Sequence, residues 1–208
     1  EVFEAYANYY RDIGDDAHAE EFYERAVKGY EDAEIDIYTR ELNEERARFL
    51  LRRGDTLRSR GLLESLIEAR AGRGEQDRTL TARLALASVD LAEKRFDGLE
   101  ERVRELLECF RERDHYFDEV NASLLLAETL AAKGKENEAV PHVNRVLDLS
   151  ARYDYDFWLR REIRRNPALF AIEEIAERLP SDLREELSAP DPLPQAGAAA
   201  GDSPLTDL

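Results

Sequence analysis

The chain of 208 residues contains one cysteine, Cys109, which excludes a disulfide framework within the chain. It also lacks any apolar run near the ~18 residues that a membrane-spanning helix needs. No signal peptide opens the sequence, which starts at Glu1 without methionine and in a helical pattern. We therefore expect a cytoplasmic protein without membrane contact, and either a segment of a longer protein or a chain numbered from a domain boundary.

Positive charge is scarce in this sequence. Lysine and arginine total 30 against 47 aspartates and glutamates, which leaves a net charge of −17. A field of this sign repels phosphate backbones, so we expect no direct contact between this segment and nucleic acid. The same field favours solubility and cationic partners.

Proline is absent from the first 140 residues, and its placement divides the chain. A proline-free stretch rich in alanine, leucine, glutamate and arginine is typical of a long helical array. Residues 188–208, by contrast, contain four prolines, no aromatic residue and no periodicity. These features predict a disordered tail or linker at that end of the chain.

A period of forty residues runs through the proline-free region. Turn-like positions recur at Gly14, Gly54, Lys94 and Gly134. The residue seven positions before each turn is always alanine: Ala7, Ala47, Ala87 and Ala127. The residues five, nine and twelve positions after each turn are small or apolar, beginning with Ala19, Tyr23 and Ala26. Four copies at one fixed spacing indicate a repeat protein.

Each repeat is predicted to be a helical hairpin. The alanines allow a neighbouring helix to approach closely, and positions five, nine and twelve share one helix face. Glycine at the turn adopts the left-handed conformation that ends the first helix. Lys94 lacks this freedom, so we expect the third turn to differ in geometry or to be strained. A hairpin cannot bury its apolar stripe alone, so stacked hairpins form the core.

The segment after the fourth hairpin is predicted to cap the array. Apolar residues recur at helical intervals between Phe157 and Ile175, and Trp158, the only tryptophan, is the largest of them. Because the open end of a stacked array exposes apolar surface, we expect these residues to cover the fourth hairpin. Asn166 followed by Pro167 predicts the start of a new helix.

The repeat pattern resembles that of the tetratricopeptide (TPR) family. The first copy carries the resemblance most closely, at Phe3, Tyr6, Ala7, Tyr10, Gly14, Ala19, Tyr23 and Ala26. The resemblance covers residues 1–152 and implies an all-α fold: a right-handed α-α superhelix, or TPR-like solenoid, of four hairpins of about 40 residues. Residues 153–187 are then the C-terminal capping helices.

Residues 124–170, "LLLAETLAAKGKENEAVPHVNRVLDLSARYDYDFWLRREIRRNPALF", are similar to the C-terminal repeat regions of bacterial transcription activators. The similar groups are the maltose-regulon activators and the bacterial transcriptional activator domain of antibiotic regulators. The resemblance implies a non-catalytic module of a larger bacterial signalling or transcription regulator, which binds a protein, a peptide or a small effector. The alternative is a free-standing scaffold or adaptor that assembles other proteins. A winged helix, helix-turn-helix or P-loop upstream of Glu1 distinguishes the two, and the oligomeric state stays open.

The family resemblance also implies a binding face. The first helix of each unit lines the concave surface, which places on it Asn8, Arg11, Glu44, Arg48, Arg52, Ser88, Asn121 and Glu128. Asn8 matches the asparagine of the lysine–asparagine clamp in co-chaperone members, but Glu4 stands where the lysine belongs. This departure argues against binding of chaperone tails. The arginines of the second repeat are suited to hold a carboxylate through bidentate hydrogen bonds.

No constellation for catalysis, for a metal or for a cofactor is visible. The three histidines lie far apart, whereas metal sites need clustered ligands. There is also no glycine-rich phosphate loop and no nucleophile elbow. We therefore expect no enzymatic activity, no metal and no cofactor.

A basic cluster beside Trp158 has two interpretations. It consists of Arg160, Arg161, Arg164 and Arg165. Cations near the end of a helix stabilise its dipole, which is a purely structural role. In the second interpretation Trp158, Arg161 and Arg165 anchor an anion or an acidic partner.

Overall fold

The fold is built from helices. The computed structural model describes residues 2–188, and no β-strand occurs among them, as the all-α prediction requires. The repeat region contains α1 (Val2–Ile13), α2 (Asp16–Asp32), α3 (Asp36–Arg52), α4 (Thr56–Ala71), α5 (Gln76–Ala92), α6 (Leu99–Glu112), α7 (Tyr116–Ala132) and α8 (Glu136–Tyr153). The cap contains α9 (Asp156–Arg165), α10 (Pro167–Phe170), α11 (Glu173–Ala176), α12 (Ser181–Arg184) and a 3₁₀ turn (Glu185–Ser188). Consecutive helices of the repeat region pack against each other as pairs.

The predicted tail falls almost wholly outside the described residues. Its first residue, Ser188, is the last residue of the 3₁₀ turn. Residues 189–208 are not described by the structure, and neither is Glu1.

Every turn of the repeat region ends a helix in the same way. Residues with a left-handed backbone, φ between 55° and 81°, recur every twenty positions: Gly14, Glu34, Gly54, Gly74, Lys94, Asp114, Gly134 and Asp154. In each turn the next amide donates to a carbonyl five residues before it, for example Asp15 to Tyr10 at 2.9 Å. This is the Schellman closure of a helix. The forty-residue period of the sequence is therefore a twenty-residue period of the backbone.

The third hairpin turn differs from the other three, as the absence of glycine at position 94 predicts. Lys94 adopts φ 57°, which is unfavourable for a residue with a side chain. Helix α6 begins only at Leu99, after Gly98 with φ 64°. A Cβ atom on residue 98 would lie 3.1 Å from the Arg102 guanidinium, so both backbone and space favour glycine there.

The close-approach positions are all buried. Ala7, Ala47 and Ala127 have no exposed surface, and Ala87 has 3%. In the second repeat a serine occupies the small position that follows the turn, and it preserves the close approach. The hydroxyl of Ser59 donates to the carbonyl of Ala47 at 2.7 Å, which satisfies a buried polar group.

Asp90 interrupts the apolar pattern before the third turn, and two arginines explain how it is buried. Its carboxylate accepts from Arg60 on α4 at 2.6 Å and from Arg102 on α6 at 2.8 Å. Burial of a carboxylate without such partners costs several kcal/mol in the usual case. These ion pairs therefore join the second hairpin to the third.

The C-terminal helices cover the end of the array. Trp158 is 8% exposed and belongs to the same buried cluster as Leu130, Val143 and Val146 of the fourth hairpin. Ile163, Leu169, Phe170 and Ile175 join that cluster too. Phe157 is the exception, because 83% of it is exposed. The expectation that Phe157 forms part of the cap is wrong, because α9 exposes Phe157 while it buries the adjacent Trp158.

Replacing Ala127 by leucine should destabilise the array, because larger side chains do not fit where two helices touch. We expect the free energy of unfolding to fall by about 1–3 kcal/mol, the usual cost of overpacking, in urea denaturation. Ala132→Leu is the matched control, since Ala132 is exposed at the end of the same helix. Equal stability of A127L and the unmodified chain would contradict this packing.

Replacing Trp158 by alanine should loosen the cap and then the hairpin beneath it. We expect a loss of about 3–5 kcal/mol, which is typical of a large aromatic removed from a core. Hydrogen exchange should accelerate in α7 and α8 more than in α1 to α4, because repeats contact only their neighbours. Phe157→Ala, at the exposed neighbouring position, should leave both quantities unchanged. Uniform acceleration along the chain would show that Trp158 is not a local cap.

Candidate functional site

The odd-numbered helices of the array face a common groove. Helices α3 and α5 meet in it, where Arg48 donates to the carbonyl of Thr81 at 3.5 Å. Three electrostatic interactions also cross the groove. Arg48 on α3 interacts with Asp118 on α7, and Glu128 on α7 interacts with Arg165 on α9. Arg52 on α3 is repelled by the positive charge of Arg165. Helices α3, α5, α7 and α9 therefore contribute to one surface.

In the middle of the groove, Glu44 is the counter-ion of a buried arginine. Arg70 is 1% exposed; it pairs with Glu44 and donates to the carbonyl of Arg78 at 2.7 Å. Arg48 donates to the other oxygen of Glu44 at 2.8 Å. Burial raises the pKa of Glu44, but Arg48 and Arg70 outweigh it and hold the pKa below its ordinary value. Glu44 thus has a structural role, and sequence reasoning missed Arg70, the reason for it.

Near the start of the groove, Asn8 orients Arg11. Its carbonyl oxygen accepts from Arg11 at 2.8 Å and from the hydroxyl of the fully buried Tyr23 at 3.1 Å. Arg11 also forms an ion pair with Asp12 at 2.8 Å. The amide oxygen of Asn8 is therefore already used within the chain, and the guanidinium of Arg11 is the group that faces the groove.

Six arginines line one cavity at this end of the groove, hereafter the arginine pocket. Its volume is about 430 Å³, and its lining consists of Arg11, Asp12, Arg52, Phe157, Arg160, Arg161, Arg164 and Arg165. Helices α1 and α3 supply one wall and α9 supplies the other. Two sets of candidates that the sequence keeps apart, Arg11 with Arg52 and Arg161 with Arg165, therefore meet in one site.

The spacing of arginines along α9 builds the second wall. Arg160 and Arg164 are four positions apart, as are Arg161 and Arg165, so the members of each pair are neighbours on the helix surface. Arg161 and Arg165 pair with Glu162 at 3.2 and 3.0 Å. This carboxylate is not among the residues that line the cavity. It therefore holds the two guanidinium groups from outside the lining.

The other two arginines of α9 join the cap to this wall. Arg160 and Arg164 both pair with Glu186 of the 3₁₀ turn, and Arg160 also pairs with Asp182. These contacts hold α9 against the last turns of the described chain. Glu186 and Asp182 are likewise absent from the lining of the pocket.

Among the arginines that line the pocket, Arg52 carries the charge that carboxylates balance least. Its guanidinium forms no ion pair with any carboxylate of residues 2–188. Burial, followed by the positive charges of Arg165, Arg11 and Arg161, lowers the pKa of Arg52 to about 10. Solvent still reaches this side chain along the groove, so an anion can reach it as well. A bound anion would stabilise the charged form of Arg52.

Glu128, on α7, interacts with Arg165 of the arginine pocket but does not line the cavity. Asn166 donates to its carboxyl group at 2.5 Å. Burial and the charge of Glu162 raise its pKa to about 8, against the opposing effect of Arg165. Glu128 is therefore protonated at neutral pH and adds no negative charge to this part of the groove. The side chain of Asn166 is used in this contact and does not cap α10.

The remaining candidates are satisfied within their own helices or in the core. The hydroxyl of Ser88 donates to the carbonyl of Leu84 at 3.2 Å, and the amide of Asn121 donates to the carbonyl of Phe117 at 2.7 Å. Trp158 is buried in the cap and does not line the arginine pocket. Phe157 lines it instead, which the sequence did not indicate.

Among residues 2–188, no group of three or more histidine, cysteine, aspartate and glutamate side chains is arranged to hold a metal ion. No helix in this part of the chain has the length and apolar character required to cross a membrane.

No family model matches the chain, and no curated protein matches it either. The geometry of the arginine pocket is therefore the main basis for a functional proposal.

Replacing Glu128 by glutamine should stabilise the protein in a pH-dependent way. The pKa of Glu128 is about 8 in the folded chain against an ordinary 4.5, so the folded state alone keeps the proton between these values. Stability contributed by the protonated group is complete below pH 4.5 and is lost as the pH rises towards 8. Since one pKa unit corresponds to about 1.4 kcal/mol, E128Q should gain at least about 1.4 kcal/mol over the unmodified chain from pH 5 to pH 8.

Urea denaturation at the two pH values measures this gain. Glu174→Gln is the matched control, because it removes an exposed carboxylate of the cap. Parallel pH dependence for E128Q and the unmodified chain would show that Glu128 ionises normally in the folded protein.

Proposed function

We propose that the chain is a non-catalytic interaction module whose groove binds an acidic segment of a partner protein. The observation that carries this proposal is the arginine pocket, in which guanidinium groups from α1, α3 and α9 converge although the net charge is −17. Carboxylates form strong, charge-assisted hydrogen bonds with arginine. Because the rest of the surface repels acidic ligands, the pocket also determines where such a segment binds.

The groove beyond the pocket supports an extended ligand. A second cavity of about 300 Å³ lies between α3, α4 and α5 and presents charges of both signs: Glu41, Glu44, Glu45, Arg48, Arg70 and Arg78. An extended segment can place its acidic residues in the arginine pocket and other polar residues along this surface. A small acid would use the pocket alone.

The setting of the module follows from the resemblance and is part of the same proposal. We propose a module of a larger bacterial signalling or transcription regulator in the cytoplasm, with its hairpins stacked as a right-handed, TPR-like solenoid. The forty-residue spacing and the similarity of residues 124–170 to activator repeat regions support this setting. The single cysteine fits a reducing compartment.

Fluorescence anisotropy with a labelled peptide of eight glutamates tests the binding function. Arg52→Glu should weaken binding at least about tenfold, because it reverses the least balanced charge of the pocket. Added salt should weaken binding to the unmodified chain as well. Arg83→Glu is the matched control: Arg83 is exposed on α5, lies outside the arginine pocket and forms no ion pair within the described residues. Equal losses in R52E and R83E, or tighter binding of a peptide of eight lysines, would contradict the proposal.

A further inference from the structure

We infer that the arginine pocket binds a phosphomonoester dianion, with the organic group of the ester packed against Phe157. This inference rests on the proposed function, since it names the chemical group that the ligand of the groove places in the pocket. Two features of the pocket support it, namely the direction from which its arginines enter and the exposed aromatic ring in its lining.

The arginines enter the pocket from opposite walls. Arg11 and Arg52 come from α1 and α3, whereas Arg161 and Arg165 come from α9. A carboxylate has two oxygens in one plane and one charge, which suits a single guanidinium fork. A phosphoryl group has three acceptor oxygens pointing in different directions and a charge of about −1.5 to −2 at pH 7. It can therefore accept hydrogen bonds from both walls at once.

Arginine side chains of both walls are held in place before any ligand binds. Glu162 holds Arg161 and Arg165, while Asn8 and Asp12 hold Arg11. Side chains that are already oriented lose less conformational entropy when they bind. Arg52 adds a charge that no described carboxylate balances, so the pocket gains more from a dianion than from a group with one charge.

Phe157 explains why the ligand is an ester and not a free phosphate ion. It is 83% exposed, yet it lines the same cavity as the arginines. It lies one helical turn before Arg160 and Arg161 on α9, so a group bound by these guanidiniums comes next to the ring. An apolar or aromatic group attached to the phosphate would cover this ring and remove it from water.

The phosphomonoester has two sources with the same chemistry. One is a phosphorylated side chain on a protein partner, and the other is a small phosphorylated effector. A phosphotyrosine peptide with acidic flanking residues occupies the groove as well as the pocket, whereas phenyl phosphate occupies the pocket alone. Tighter binding of the peptide by at least about tenfold indicates a protein source, and equal affinity indicates a small effector.

Calorimetric titration of the full chain tests the inference with phenyl phosphate and phenylacetate, which share the ring and differ in the anion. Phenyl phosphate should bind at least about tenfold more tightly than phenylacetate. Arg52→Ala should remove most of this preference, and Arg83→Ala should keep it. Phe157→Ala should weaken phenyl phosphate and leave the affinity for inorganic phosphate unchanged, because only the ester contacts the ring.

Equal affinity for phenyl phosphate and phenylacetate would overturn the inference, and so would binding that R52A does not change. The peptide of eight glutamates separates this failure from failure of the proposed function. If that peptide binds in an Arg52-dependent way and phenyl phosphate does not bind, the phosphate assignment is wrong and the acidic-segment function stands. If neither ligand binds, both are wrong.

Discussion

The left-handed residue that ends every helix of the repeat region is the constraint on which the structure depends. It recurs every twenty positions, from Gly14 to Asp154, and each time the following amide closes the helix onto a carbonyl five residues earlier. Equal spacing gives helices of similar length, so the alanines at the close-approach positions meet their neighbours in the same register. Because the chain reverses at each of these turns, all odd-numbered helices lie on one side of the array.

The arginine pocket is a product of this arrangement. Arg11 and Arg52 come from the first and third helices, and Arg161 and Arg165 come from the ninth, yet they line one cavity. The net charge of −17 is that of the whole chain, and it does not predict the charge of this cavity. Six arginines and a single carboxylate, that of Asp12, line the cavity, and Arg52 has no described carboxylate partner, so the pocket is locally rich in positive charge.

The sequence predicts the hairpins well, because glycine and alanine carry the physical signal of a turn and of a close contact. It misses the intervening turns at Glu34, Gly74, Asp114 and Asp154, because glycine, which marks three of the four hairpin turns, stands at only one of these four. It also places Phe157 in the cap, because helical spacing of apolar residues does not tell which of them point inward at the end of an array. Phe157 and Trp158 are adjacent, and only Trp158 is buried.

The site is harder to predict than the fold for a physical reason. Periodicity places Arg11, Arg52, Arg161 and Arg165 on their helices, but the curvature of the stack decides whether α1 and α9 come together. That curvature accumulates from small rotations between repeats, which a repeat pattern does not encode. Arg70 is a second example of a residue whose environment the sequence does not reveal. Arginine is usually solvated, whereas Arg70 is buried because Glu44 of the preceding helix pairs with it.

Helices α1 and α9, from opposite ends of the array, face each other across one cavity. Electron–electron double resonance measures this directly with spin labels at Asp12→Cys and Phe157→Cys, in a chain that carries Cys109→Ser. Both labelled positions are exposed, so the labels should not disturb the packing. The structure predicts a single, narrow distribution of short distances between the labels. A broad distribution, or one centred at the separation expected when the seven helices α2 to α8 hold α1 and α9 apart, would contradict this arrangement.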